Sequence, residues 1–303
     1  MTEATHTADA AAAPNVLSRW WRQASRIDPR YLIAFLITVV LAGAQFRYQM
    51  VGGYDRLLVA LGACVVTEAL LSWFDRGRVV NLLSAYISGI SLTLLTKPQG
   101  SLLWPFAIGG FLAIASKYAL RYRGNHLWNP TNFAICALLL AAPEHVSVLS
   151  HQFGNDLTTN VVIWIFGLII AARVGVLHVT VAYVASFFLL NTVRAAASGQ
   201  PLLPEIAPIT GPMYQLFVFF MITDPRTVVR GRRKQIVVAI IIALMEALIR
   251  LASDRGWPLP TAFNAAPPLL ALAIIGPIAK WIDLRYAARS TPSRAVAAAT
   301  PVR

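Results

Sequence analysis

The feature that most constrains this chain is a series of ten apolar stretches separated by short polar loops. Most of them approach the roughly 20 residues that an α-helix needs to cross a hydrocarbon core of about 30 Å. With 57% hydrophobic and 13% charged residues and a mean hydropathy of +0.62, the chain is far more apolar than a soluble domain. The pattern therefore predicts an all-α polytopic membrane protein with about ten transmembrane helices. The stretches cover residues 31 to 47, 57 to 73, 79 to 96, 101 to 120, 130 to 143, 158 to 175, 177 to 195, 212 to 223, 235 to 253 and 260 to 282.

Two of the stretches, 130 to 143 and 212 to 223, are too short for a regular crossing, and each lies next to a proline step. Short or broken helices of this kind are tilted, re-entrant, or have ends that line a cavity. Ten spans are also compatible with an inverted repeat of five plus five. The Asn129-Pro130 and Asp224-Pro225 steps do not fall at matching positions of the two halves, which weakens the case for that repeat.

The distribution of basic residues predicts the orientation. If the N-terminus is cytoplasmic, 20 of the 26 Lys and Arg residues fall in the cytoplasmic tails and loops. This asymmetry is the positive-inside signature, and it favours cytoplasmic N- and C-termini in a cell inner membrane. The net charge of +13 is thereby explained by topology, and no nucleic-acid partner is expected.

The sequence divides into a membrane domain and two tails. Residues 1 to 30 form a cytoplasmic tail without a signal-peptide core, in which Trp20 and Trp21 alternate with arginines as in a basic interfacial helix. Residues 31 to 285 make up the membrane domain. Residues 286 to 303 are rich in Ala, Thr, Ser and Pro and are expected to be a disordered cytoplasmic tail.

Cysteine and histidine usage argues against several cofactors. Cys64 and Cys136 lie singly in separate spans, so this chain alone offers no ligand set for zinc or an iron-sulfur cluster. Only His126 and His178 approach span ends, which does not suit an intrinsic haem. The sequence also contains no nucleotide-binding loop or nucleophile elbow, and no metal site is predicted.

Polar residues at membrane depth concentrate in two segments, 117 to 135 and 219 to 234, which the predicted topology brings to one face. Asparagine side chains can satisfy an imide or amide edge, and Lys or Arg can hold a phosphate or a reduced, anionic ring. The simpler interpretation is that Asn129 and Asp224 cap helices that begin at Pro130 and Pro225. The two interpretations are compatible. The candidate cofactor-binding residues are Lys117, Asn125, His126, Asn129, Thr131, Asn132, Thr223, Asp224, Thr227 and Arg230.

Two acids inside the spans, Glu68 and Glu246, are costly in hydrocarbon unless they face the bundle interior, pair or stay protonated. Neither has an obvious basic partner at the same depth in the sequence. Glu68 could reach the interface, and both are candidates for an ion pathway.

Residues 80 to 235 resemble a known family. The order of SGISLTLLTKPQGSLLWP (88 to 105), Lys117, GNHLWNPTNF (124 to 133) and FFMITDPRTVVRGRR (219 to 233) is similar to the membrane flavin protein that the Rnf electron-transport complex shares with sodium-translocating NADH:quinone reductase. The resemblance implies a ten-helix fold with urea-transporter-like architecture. It also implies a flavin, FMN or riboflavin, and a place in a larger membrane redox complex.

The chain departs from that family in two respects. The S/T-G-A-T motif that attaches FMN covalently is missing, the nearest fragments being Ser88-Gly89-Ile90 and Thr210-Gly211-Pro212. Arg123 and His126 replace glycines of the first family loop. Covalent attachment of FMN is therefore not predicted, and a non-covalent flavin, a different ligand and a site without a cofactor all stay open.

Three functions remain open from the sequence. The first is an electron-transfer subunit that binds flavin and relays electrons to or from partner subunits or a quinone, which would make it part of a membrane oxidoreductase. The second is a small-solute permease or channel with Glu68 or Glu246 in its pathway. The third is a membrane anchor or assembly subunit whose basic face binds another protein.

Overall fold

A computed structural model describes residues 29–49, 51, 53–148 and 157–289 of the chain. The predicted interfacial helix and the predicted disordered tail lie almost entirely outside the described residues. The α-helices of the described part are α1 (Pro29–Tyr48), α2 (Tyr54–Arg76), α3 (Leu83–Leu95), α4 (Trp104–Ala119), α5 (Pro130–Ala141), α6 (Leu157–Val174), α7 (Leu177–Ser198), α8 (Leu202–Ile206), α9 (Pro212–Leu216), α10 (Arg232–Asp254), α11 (Thr261–Ala265) and α12 (Pro267–Arg289).

The helices confirm an all-α membrane protein. Four of them, α2, α7, α10 and α12, are long and apolar enough to cross a membrane. Four shorter apolar segments, Arg30–Gly43, Leu83–Leu95, Pro130–Ala141 and Asn160–Val174, lie within α1, α3, α5 and α6. The count of ten spans and the inverted repeat remain predictions.

Two helix bundles pack side by side. In the first, α2 packs on α3 and α4, and α4 packs on α5. In the second, α10 packs on α7 and α12. α1 packs on α3 of the first bundle and α6 packs on α7 of the second. Contacts of α1 with α6 and of α5 with α12 join the two bundles.

Glycines allow close approach in the first bundle. A Cβ at Gly110 of α4 would lie 2.8 Å from the Cβ of Ala63, and one at Gly89 of α3 would lie 2.8 Å from Leu61. Small residues at helix contacts are typical of membrane bundles, where backbone proximity replaces hydrophobic collapse. Large apolar side chains such as Phe35, Leu58 and Leu189 remain exposed on the outside of the bundle, as expected of residues that face lipid.

Only the first of the two short segments is built as its proline step suggests. α5 begins at Pro130, and Asn129 caps it by accepting a hydrogen bond from the amide of Asn132 at 3.0 Å. α9 widens into a π-helical turn over Phe217–Met221, where the Ile222 amide donates to the Phe217 carbonyl, and the helix ends before Asp224. No helix begins at Pro225, so the expectation that Asp224 caps one is wrong.

Two small sheets lie at opposite ends of α4. Strand β1 (Thr96–Pro98) pairs antiparallel with β4 (Val146–Val148). Strands β2 (Arg121–Tyr122) and β3 (Asn125–His126) form a hairpin between α4 and α5. Its two-residue turn has φ of 51° at Arg123 and 76° at Gly124, a pair of positive values that suits a type I′ turn. The hairpin places His126 beside the start of α5.

Candidate functional site

A central cavity of about 140 Å³ lies between the two bundles, at the end where the β2–β3 hairpin and the segment after α9 meet. Its inner walls are apolar. The Phe219 ring packs edge-on against Trp164 and covers Gly167 so closely that a Cβ there would lie 2.3 Å from the ring. The apolar lining includes Ile33, Ile37, Ile87, Ile170, Phe219 and Phe220.

One wall of the cavity is a polar pair formed by the two proline steps. The amide nitrogen of Asn129 donates to the Asp224 carboxylate, Nδ2 to Oδ2, at 3.2 Å. The other carboxylate oxygen, Oδ1, accepts from the Arg226 amide at 3.0 Å and closes a turn over Pro225. Asn129 is thus both a helix cap and a part of the cavity wall.

The cavity mouth holds a buried ion pair. Lys117, 4% exposed, donates from Nζ to Glu68 Oε2 at 2.9 Å and to the Ser84 hydroxyl at 3.1 Å. The Tyr118 hydroxyl donates to the other Glu68 oxygen at 2.8 Å. Every polar atom of the Glu68 carboxylate has a partner, as burial of a charge requires.

His126 lines the same mouth with an unsatisfied nitrogen. Among the described residues, its Nδ1 is buried and has no hydrogen-bond partner. Burial lowers the pKa of His126 below its usual value, and the nearby guanidinium of Arg226 lowers that pKa further. The side chain is therefore neutral near pH 7, and Nδ1 can pair with a ligand.

The depressed pKa of His126 makes a testable contribution to stability. The unfolded chain binds a proton at the ordinary histidine pKa, whereas the folded chain resists protonation until lower pH. The contribution of His126 to the free energy of unfolding should therefore be fully present above the ordinary histidine pKa. It should decrease as the pH falls below that pKa. We expect His126→Gln to lose less thermal stability than the native chain between neutral and mildly acidic pH.

The exposed His145 supplies the control for that experiment. His145→Gln should retain the full acid destabilisation of the native chain, measured as the change in unfolding temperature in detergent. Equal pH profiles for His126→Gln and the native chain would contradict the assignment.

A second ionic cluster fixes the loop that leads from Asp224 into α10. The buried Asp283 of α12 accepts from Arg230 Nε at 3.0 Å and from Lys234 Nζ at 2.8 Å. Lys280 donates to the Val228 carbonyl at 2.7 Å. Arg230 is therefore an anchor of the loop on α12, and it does not line the cavity.

The structure brings most of the sequence-predicted residues together. Those that line the central cavity are Lys117, His126, Asn129, Thr131, Thr223, Asp224 and Thr227. Asn125 is exposed and donates to the Arg123 carbonyl, and Asn132 is buried behind the wall, donating to the Leu269 carbonyl at 3.1 Å.

The expectation that Glu68 and Glu246 have no basic partner is wrong. Glu68 pairs with Lys117, and Glu246 pairs with Arg250, one helical turn away, Oε1 to Nε at 3.1 Å. Both Glu246 oxygens are also hydrogen-bonded, by the hydroxyls of Tyr183 and Tyr214. Glu68 lies beside the mouth of the cavity, whereas Glu246 lies in a separate buried cluster; an ion pathway through either remains a prediction.

Sequence reasoning missed the cavity residues that come from α1 and α3. Arg30 reaches the cavity from α1, and Ser84 and Ser88 reach it from α3. Arg226, the residue after Pro225, also lines the cavity. The sequence explains its positive charge by membrane topology. The serines at 84, 88 and 91 could have indicated the contribution of α3. Their spacing of three to four residues places three hydroxyls on one face of that helix.

No protein-family model matches this chain, and no curated protein sequence matches it. The function is therefore argued from the site itself.

Proposed function

We propose that this chain is a membrane-embedded electron-transfer subunit that binds a flavin, FMN or riboflavin, non-covalently in the central cavity. The observation that carries the proposal is the Asn129–Asp224 pair at the wall of an otherwise apolar cavity with cations at its mouth. An isoalloxazine ring has the matching chemistry, since its faces are apolar and one edge carries imide donors and acceptors.

The residues present fit such a ring. Phe219, Phe220 and Ile87 supply apolar surface, while Asn129 and Asp224 supply polar groups for the imide edge. Nδ1 of His126, which has no hydrogen-bond partner among the described residues, is a further polar atom that a ligand can satisfy. A buried polar atom without a partner is costly, so a ligand that pairs with it gains affinity.

The cations at the mouth of the cavity would affect the charge state of a bound flavin. Lys117 and Arg226 line the cavity. Lys117 is already paired with Glu68, so among the described residues it is the charge of Arg226 that favours an anionic form of a bound ring. A bound flavin would supply one- and two-electron transfer, and the protein would bind it, orient it and shield it from water. The lack of the S/T-G-A-T motif supports non-covalent binding.

The proposal includes an orientation and partners. The excess of Lys and Arg at the cavity end supports a cytoplasmic location for that end, in a cell inner membrane with both termini cytoplasmic. Other subunits of a membrane redox complex, or a quinone, would then deliver and remove electrons.

An absorbance and fluorescence spectrum of the detergent-purified chain tests the proposal. We expect the blue and near-ultraviolet bands of a flavin, released into the supernatant when the protein is precipitated with acid. Flavin retained in the pellet would contradict non-covalent binding. A colourless protein purified with excess flavin would contradict the proposed function and favour a permease or an assembly subunit.

A further inference from the structure

A second cavity, which we call the vestibule, lies beside the mouth of the central cavity and has a volume of about 390 Å³. Five residues line both cavities: Arg30, Ser84, Lys117, His126 and Arg226. The vestibule is polar, and its charges are strongly unequal. Among the described residues, six cations line it, Arg30, Arg76, Arg78, Lys117, Arg121 and Arg226, against the single carboxylate of Glu68.

The neighbouring carboxylates neutralise only part of this positive charge. Glu68 is engaged by Lys117 and Tyr118 inside the bundle. Asp75 accepts from both terminal nitrogens of Arg121 at 3.2 Å, and also lies 3.4 Å from Nε of Arg76.

Two arginines are left without a carboxylate. In the part of the chain that the structure describes, neither Arg78 nor Arg226 has a carboxylate within ion-pair distance. Like charges that share a concave site repel one another, so the folded state gains stability when an anion enters.

Phosphate is the anion that this arrangement suits. Guanidinium groups present planar pairs of N–H donors that match phosphate oxygens, and several of them converge here from α1, α2 and the loops that follow α2 and α9. The sequence explains these cations by topology alone, but topology does not require them to share one cavity.

The surroundings of the vestibule also suit a phosphate that arrives with a lipid. Trp73 and Phe74, in the last turn of α2 next to Arg76, are 59% and 80% exposed, and Tyr31 of α1, next to Arg30, is 52% exposed. Exposed aromatic side chains at helix ends mark the level of lipid headgroups. Basic pockets between membrane helices at that level bind anionic headgroups.

We infer that the vestibule is a phosphate-binding site, filled by the headgroup of an anionic phospholipid or by a soluble phosphate. The inference does not rest on flavin binding, because Arg76 and Arg78 line the vestibule but not the central cavity.

The test measures the unfolding temperature of the purified chain in nanodiscs. Three conditions are compared: phosphatidylcholine alone, phosphatidylcholine with phosphatidylglycerol, and phosphatidylcholine with inorganic phosphate in place of chloride at equal ionic strength. We expect phosphatidylglycerol or phosphate to raise the unfolding temperature of the native chain by about 3 °C or more.

Two double variants of equal charge decide whether the vestibule is responsible. Arg76→Gln with Arg78→Gln should abolish the increase. Arg232→Gln with Arg233→Gln, which neutralises two exposed arginines at the start of α10, should retain it. If the first pair does not fold, Arg78→Gln alone, at an exposed position beyond the end of α2, should at least halve the increase.

The outcomes separate the two sources of phosphate. An increase with phosphatidylglycerol only identifies a lipid headgroup, and an increase with inorganic phosphate identifies a soluble ligand. No increase in either condition, or an increase that both double variants retain or both lose, overturns the inference. Because the flavin spectrum of the Arg76, Arg78 variant is measured in parallel, failure here is distinguishable from failure of the proposed function.

Discussion

Replacing Lys117 with methionine is expected to lower the free energy of unfolding by about 3 to 5 kcal/mol. Lys117 and Glu68 are 4% and 5% exposed, so the substitution leaves a buried carboxylate without its counter-charge. Methionine has a similar length, which keeps the loss of packing small. The measurement is reversible unfolding of the purified chain in mixed detergent micelles, or its unfolding temperature where unfolding is irreversible.

A double-mutant cycle separates loss of the charge pair from loss of packing. Glu68→Gln with Lys117→Met removes both charges, and we expect this double variant to be more stable than Lys117→Met alone. If Lys117→Met costs less than about 1 kcal/mol, or if the double variant is no more stable than the single one, the pair is not a buried charge pair of the kind described.

Replacing both Asn129 and Asp224 with alanine is expected to reduce flavin binding at least about tenfold while leaving membrane insertion intact. The two side chains form the polar wall of the central cavity, joined at 3.2 Å, and loss of about 1.4 kcal/mol of hydrogen bonding corresponds to a tenfold change in affinity. The measurement is the flavin content of the purified variant relative to the native chain. Unchanged flavin content would place the site elsewhere.

Two single variants separate the roles of these residues. Asn129→Ser keeps a side chain able to cap α5 but shortens the reach to Asp224, so we expect near-native stability with weakened flavin binding. Asn125→Ala changes an exposed asparagine of the β2–β3 hairpin, whose side chain donates to the Arg123 carbonyl and does not line the central cavity. It should leave both flavin content and stability unchanged.

The helix cap at Asn129 was predictable from sequence because its signal is local. An N-cap asparagine accepts from an amide three residues later and needs no partner from elsewhere in the chain, and the structure confirms that cap at Asn129. The same reasoning failed at Asp224, where the chain turns through Arg226 and reaches no helix before α10. A proline favours a helix start and a tight turn alike, and only the following residues decide between them.

The partners of the buried acids could be predicted in one case only. Arg250 lies four residues after Glu246, so a helical reading of that span already places the two on one face. Lys117 is 49 residues from Glu68, and their contact depends on the packing of α4 on α2 across Gly110. No pattern within either helix contains that information.

The sequence by itself determined that this is an all-α membrane protein with two helices shortened at proline steps. It could do so because hydrophobicity, helix capping and proline sterics act within a few residues of one another. Only the tertiary structure decided that Lys117 neutralises Glu68, that Arg230 anchors on Asp283, and that arginines from separate elements share one vestibule. A buried charge must find a partner, but which partner it finds is set by the packing of helices that lie far apart in the chain.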